Sequence, residues 1–388
     1  MRSRSLGLVA LTMMALLVLL VVPPAVAQSP PTIEEYGLPN GTASIDVMCI
    51  DSQGDVWLAQ SYPPILYRFD ATAKAFERHE IPVKEEALFK GMSAEGSEYI
   101  WLADQSGQQI ICYDVARDKF YYFTLTVKLN PSDVISDGTY LWVGCNMELA
   151  RISIEEANTT PMRDYWVDKY FANIVDIERD RTGNIWFVEY SSNKVGGYDR
   201  MVDQSDPDNA IKLFPIPTPD SAPTCLDIDS QGRLWFIESE PGKLGMFDTS
   251  MNTFKELDMP VLDGLKVSPK RLAVDRDDCV WLTDLPNNRI IKYYPSKGVF
   301  VPISLNGSRV YPTFIDVDGD KVWVLESGAR CLALVRSDPL YGLVSTPTPS
   351  PAPTPMATPP TSPTPKPAPG LGLLAAIAAL MIAKKARR

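Results

Sequence analysis

A seven-bladed β-propeller of four-stranded blades is the fold this sequence predicts, on three observations. Seven tryptophans, Trp57, Trp101, Trp142, Trp186, Trp235, Trp281 and Trp323, recur at gaps of 44, 41, 44, 49, 46 and 42 residues. That period matches one propeller blade rather than a helical hairpin repeat. Each tryptophan stands in the same local phrase of short strands. The last copy lacks its fourth strand, and residues 32–38, ahead of the first copy, supply the missing strand and close the ring.

Taken in chain order, the first 27 residues carry Arg2 and Arg4, an apolar run over residues 6–22, and Ala25-Val-Ala27. This is the pattern of a secretory signal peptide cleaved after Ala27, with an uncleaved membrane anchor as the alternative. Residues 28–342 hold the repeats and form the propeller. In the fifth copy, Thr224-Cys-Leu-Asp-Ile-Asp is followed by Ser-Gln-Gly, then Arg233-Leu-Trp-Phe-Ile-Glu, Lys243-Leu-Gly-Met-Phe-Asp and Thr253-Phe-Lys-Glu-Leu. The first two strands are joined by a turn in which Asp229 bonds its own backbone and Gly232 takes positive φ, and the turn recurs at Asp51 to Gly54 and Asp180 to Gly183. Second strands such as Ile185-Trp-Phe-Val are apolar throughout, as suits burial on both faces. Fourth strands such as Phe76-Glu-Arg-His-Glu are polar, as suits the outer edge of a blade.

Residues 343–368 form a Pro/Thr/Ser stalk, stiff and extended. Residues 369–388 contain a thirteen-residue apolar stretch and a basic end, Lys384, Lys385, Arg387 and Arg388. Thirteen residues make a helix of about 20 Å, short of the ~30 Å hydrocarbon layer. Pro369-Gly370-Leu371-Gly372 resembles the Pro-Gly-Phe sorting signal of archaeal surface proteins, with Leu371 in the place of Phe. The resemblance implies cleavage by an archaeosortase and transfer to a lipid, a logic shared by other processed C-terminal tails. The expected address is the outer face of the plasma membrane. Sequons at Asn40, Asn158 and Asn306 fit an exported glycoprotein.

Charge excludes one class of partner. Removing the two basic residues before residue 28 and the five after residue 345 from a net charge of −11 leaves the propeller near −18. With no basic stripe, nucleic acid is not an expected partner. Six cysteines, Cys49, Cys112, Cys145, Cys225, Cys279 and Cys331, are scattered without a Cys-x-x-Cys pair. They are either small core residues or include one or two disulfides, and zinc is not indicated.

Candidate chemistry collects three residues after each tryptophan, at Gln60, Asp104, Cys145, Glu189, Glu238, Asp284 and Glu326. The turn is centred about four residues before the tryptophan. These residues should therefore face Asp46, Lys90, Pro131, Val175, Thr224, Lys270 and Pro312 or Thr313 at one mouth. The expected ligand site is an acidic mouth of Asp104, Glu189, Glu238, Asp284 and Glu326 with Thr224 and Lys270. Hard carboxylate oxygens of Glu189, Glu238, Asp284 and Glu326 would suit Ca²⁺ or Mg²⁺. The other reading is that the acids end their strands in solvent at a polar rim.

The phrases Gly183-Asn-Ile-Trp-Phe-Val-Glu189 with Asn193-Lys-Val-Gly-Gly-Tyr-Asp199, and Gly232-Arg-Leu-Trp-Phe-Ile-Glu238 with Lys243-Leu-Gly, resemble the streptogramin (virginiamycin B) lyase family of seven-bladed propellers. The resemblance implies a Pro-His pair opening the first strand, whose histidines work with glutamates and Mg²⁺ to open a cyclic depsipeptide by elimination. Here the equivalent dipeptides are Pro223-Thr224, Pro269-Lys270 and Pro312-Thr313, and the chain has one histidine, His79, in an outer strand. The expectation is a surface-anchored propeller that binds a glycan, peptide or envelope protein. The alternative is a metal-assisted lyase or hydrolase of the streptogramin lyase-like or gluconolactonase-like type.

Overall fold

Each repeat folds into a four-stranded antiparallel sheet whose strands follow one another in chain order, and seven such sheets form a β-propeller. The structure, a computed structural model, describes residues 30–83, 86–125, 129–154, 163–167, 172–337 and 341–343. The chain divides between Leu343 and Val344 into two units, and the second lies outside the described residues. The signal peptide, stalk, sorting segment and Asn158 expected from the sequence also fall outside them. Among the described residues no helix is long and apolar enough to cross a membrane.

The innermost strands are Val47–Ile50, Phe89–Glu95, Asp133–Ser136, Ile174–Arg179, Pro223–Ile228, Pro269–Val274 and Pro312–Asp318, and each touches the next around a closed ring. Thr32–Gly37 is the fourth strand of blade 7. It pairs antiparallel with Cys331–Arg336, from Thr32 opposite Arg336 to Gly37 opposite Cys331, so the N-terminal strand closes the ring as the sequence predicts.

Burial follows the pattern of side chains. Val56–Gln60 and Ile185–Glu189 are buried at every residue, while Ala75–Glu80 is largely exposed. The core lies between blades: Trp57 packs with Ile100, Ile111 and Tyr113 of the next blade, and Trp323 with Val56, Tyr67 and Phe69. Gly245 allows the close approach that this packing needs, since a Cβ there would lie 2.3 Å from the Phe236 ring.

The turn acid does more than shape its own turn. Asp51, Asp137, Asp180, Asp229 and Asp275 accept the indole N–H of Trp57, Trp142, Trp186, Trp235 and Trp281 at 2.8–2.9 Å, and Glu95 accepts that of Trp101 at 3.1 Å. A buried tryptophan thereby satisfies its one donor. Trp323 is the exception: its Nε1 has no hydrogen-bond partner.

Two insertions account for the longest gaps between tryptophans. In blade 4 a helical turn, Arg200–Asp203, and a 3₁₀ turn, Pro207–Asn209, separate the third and fourth strands. Between blades 5 and 6 a small hairpin pairs Val261–Leu262 with Leu265–Lys266. All six cysteines are buried and unpaired, and burial raises the thiol pKa of each, which leaves them as core residues.

Candidate functional site

Turns between second and third strands, and the connections between blades, open on one face of the propeller, called here the upper face. Of the pairs expected to face one another at its mouth, Gln60 with Asp46 and Glu326 with Pro312 do so, and those of Asp104, Glu189, Glu238 and Asp284 are one position out of register. Glu238 stands opposite Pro223 rather than Thr224, and Asp284 opposite Pro269 rather than Lys270; Asp104 stands opposite Phe89, Glu189 opposite Ile174, and Glu326 opposite Pro312. The cause is a β-bulge just after each of these first-strand residues, which counts two residues against one. In blade 5 the bulge holds Cys225 at φ +53°. It turns Thr224 toward the mouth, where Thr224 Oγ1 meets Ser239 Oγ at 2.9 Å; Thr313 Oγ1 likewise meets Ser327 Oγ at 2.5 Å. Lys270 is exposed and makes no ion pair among the described residues.

The acids three residues after the tryptophans are withdrawn from the mouth. Asp104, Glu189, Glu238, Asp284 and Glu326 are all buried, at most 1 % exposed. Asp104 accepts from Leu88 N, Gly107 N and Gln109 Nε2. Asp284 accepts from Ser268 N, Asn287 Nδ2 and, at 2.7 Å, the buried Arg289 Nε. Glu189 accepts from Ser192, and Glu326 from Cys331 Sγ at 3.0 Å. Neither oxygen of Glu238 finds a donor. Burial pushes the carboxyl of Glu238 up to about 7, with the neighbouring Glu256 adding to the shift, and burial pushes Glu326 up to about 7 as well.

Each acid serves its own blade, and their oxygens do not converge. Among the described residues no group of three or more His, Cys, Asp or Glu side chains is placed to hold a metal ion. With the lone pairs of Asp104 and Asp284 already taken by protein donors, the set does not fit a Ca²⁺ or Mg²⁺ site, and no chemistry is routed through one.

Carboxylates that sequence reasoning assigned no role line the central channel instead. The channel encloses about 440 Å³ between the seven inner strands, and Asp133, Asp176, Glu178, Asp227 and Asp316 stand in its wall. Three of them clasp the neighbouring blade: Asp133 accepts Ile177 N at 3.0 Å, Asp176 accepts Leu226 N at 2.8 Å, and Asp227 accepts Val274 N at 2.6 Å. An inner strand has a free edge toward the channel, and these acids satisfy its N–H groups. Burial, then the adjacent Asp176, raises Asp133 well above the ordinary carboxylate range; burial pushes Asp227 up to about 7 and Asp316 up to about 6. The signal was an acid seven or eight residues before the tryptophan, as at Glu178, Asp227 and Asp316.

His79 lies far from both mouth and channel, at the outer seam of blades 1 and 2. Its Nδ1 is 3.2 Å from Asp118 Oδ1 and 3.0 Å from Tyr113 Oη, and its ring stacks on Trp57. The two described sequons, Asn40 and Asn306, are exposed in interblade connections of the upper face.

Beside exposed charges such as Lys270, the mouth presents three aromatic rings. Tyr62 and Tyr190 in second-to-third-strand turns, and Tyr311 in the connection into blade 7, are 74 %, 42 % and 40 % exposed.

No family model matches the chain, and no curated protein does so either. Solved structures do. Virginiamycin B lyase from Staphylococcus aureus superposes with a TM-score of 0.69 at 17 % identity, over 79 % of this chain and all of that one. A catalytically inactive histidine-to-alanine variant of that lyase, with quinupristin, gives 0.68 at 18 % identity over the same shares. An extracellular domain assigned to a one component system of B. thetaiotaomicron gives 0.57 at 17 % identity, covering 79 % of this chain and 40 % of that one. At these identities the likeness establishes the fold: a propeller built like the virginiamycin B lyases.

Proposed function

We propose that this protein is an exported propeller, held at the cell surface by its C-terminal segment, whose upper mouth binds a glycan, peptide or envelope protein without transforming it. The observation that carries this reading is the exchange at the mouth: acids withdrawn into the blades, tyrosines and hydroxyl pairs presented to solvent. Tyrosine offers a large contact area at low entropic cost, and serine and threonine hydroxyls adapt to a ligand's donors and acceptors. Elimination needs a positioned base and an electrophile. The chain's one histidine sits at the outer seam, and threonine or lysine follows each proline where the lyase resemblance implies histidine. An extracellular domain among the similar folds and the leader-like first 27 residues support the address.

Retention of the full chain on cell-envelope material tests the binding reading. The triple variant Tyr62→Ala, Tyr190→Ala, Tyr311→Ala should lose retention, and unchanged retention would refute a role for the mouth. The fold likeness favours one alternative, a metal-assisted lyase. Incubation with quinupristin, with and without Mg²⁺, is expected to leave it cyclic; a linear product would replace the binding reading with catalysis.

A further inference from the structure

We infer that the sector of the mouth shared by blades 7 and 1 is a saccharide-binding site; this rests on the binding reading above and gives it a ligand class. Tyr311 and Tyr62 mark the two ends of the sector. Between them lie the Thr313–Ser327 hydroxyl pair and Asp46, whose Oδ2 accepts Ser61 N at 2.7 Å. The inner strands Val47–Ile50 and Pro312–Asp318 touch, so the rim residues at their upper ends are neighbours.

The sector is built rigidly. Its floor, the connection 38–46, is tied by Leu38 N to Arg330 O at 2.9 Å, by Arg330 Nη2 to Thr42 O at 2.6 Å and by Ala43 N to the buried Gln60 Oε1 at 2.8 Å. Asn288 Oδ1 accepts the N–H of Val310 and Tyr311 at 2.8 and 3.3 Å. Gly328 packs beneath: a Cβ there would fall 1.9 Å from Arg309 O and 2.5 Å from Tyr311 Cδ2. A seat fixed before the ligand arrives costs little ordering entropy on binding.

Its chemistry matches a sugar better than a peptide. A pyranose offers a C–H face to an aromatic ring and hydroxyls that both donate and accept; tyrosine faces, a hydroxyl pair in which either oxygen can donate, and a carboxylate acceptor answer each of these. Strand addition by a peptide needs a free sheet edge, and in this fold the edges run along the channel and the outer circumference rather than across the upper face.

The test uses the full chain made in a host that does not glycosylate, with neutral tetrasaccharides of glucose, mannose, xylose and N-acetylglucosamine as probes in isothermal titration. At least one should bind. Tyr62→Ala with Tyr311→Ala should weaken it at least tenfold, Tyr62→Phe with Tyr311→Phe by less than threefold, and Met201→Ala, an exposed residue in the helical turn of blade 4 away from the mouth, by less than twofold. Binding of none of the probes, or binding indifferent to the double alanine variant, would overturn the proposal. Periodate and protease treatment of the envelope material separates the two readings. Retention lost after periodate supports the saccharide; retention that survives periodate and is lost after protease overturns the saccharide while leaving a binding mouth; no retention at all removes both.

Discussion

At the scale of single residues, the blade phrase is a hydrogen-bond circuit, and its one gap is informative. Trp235 donates to Asp229 at 2.9 Å, while the equally buried Trp323 donates to nothing. Trp235→Phe therefore loses a buried bond while Asp229 keeps Arg233 and its backbone donors, whereas Trp323→Phe relieves an unpaired N–H. Urea denaturation should show the first to be more destabilising by about 1–2 kcal/mol. A second expectation concerns pH. Glu238 is held at about 7 in the fold against an ordinary 4.5, so the folded state keeps its proton longer than the unfolded chain does. Its contribution to stability is thus full below about pH 4.5 and is lost as pH rises through 7. Glu238→Gln should raise stability at pH 8 by on the order of 1–3 kcal/mol, and the gain should vanish near pH 4.5. Equal melting curves at both pH values would refute a buried, protonated Glu238. The sequence showed that acids recur beside the tryptophans, but not which way they face. Strand alternation fixes a side of the sheet; a single bulge at Cys225 shifts the register, and that bulge carries no mark in the letters.

At the scale of elements, an acid read as a ligand site turns out to hold a protrusion in place. Asp284 grips Arg289 Nε at 2.7 Å, and Arg289 donates to Leu262 O and Leu265 O at 3.1 Å each, while Asn287 Nδ2 reaches Lys266 O at 2.9 Å. The hairpin of residues 261–266 is thus clamped onto blade 6 with Val261 and Leu265 turned outward. Arg289→Met removes the guanidinium clamp and leaves Asp284 buried without a counter-charge, a loss of about 3–5 kcal/mol. Pairing it with Asp284→Leu should recover most of that stability without restoring the hairpin, because the apolar pair replaces the ion pair but bonds no carbonyl. Hydrogen exchange at Leu265 and Lys266 separates the two effects: fast exchange is expected in both variants, and protection in the double variant would show that the clamp does not order the hairpin. The insertion was legible only as a longer gap between Trp235 and Trp281. Its seat was not, because Arg289 and the carbonyls that it binds are more than twenty residues apart.

At the scale of the whole molecule, the ring is as strong as its one seam joined by non-sequential strands. The strand Thr32–Gly37 adds a full ladder to Cys331–Arg336, and Tyr36 packs on both Phe69 of blade 1 and Trp323 of blade 7. Glu34 completes the seam: it takes Lys74 of blade 1 at 2.7 Å and Arg336 of blade 7 at 2.5 Å, and those partners, Lys74 foremost, lower its carboxyl to about 2. One short strand therefore bonds both ends of the solenoid, which is why a segment ahead of the first tryptophan was readable as the missing strand of the last. Deleting residues 32–38 leaves Cys331–Arg336 as a bare edge and uncovers the Phe69–Trp323 contact, so the melting temperature should fall by on the order of 10 °C or more. Glu34→Gln should cost far less, and only at low salt, because an exposed ion pair is screened. A deletion that melts where the parent melts would mean that the ring holds without its seam, and that blade-to-blade packing alone closes the propeller.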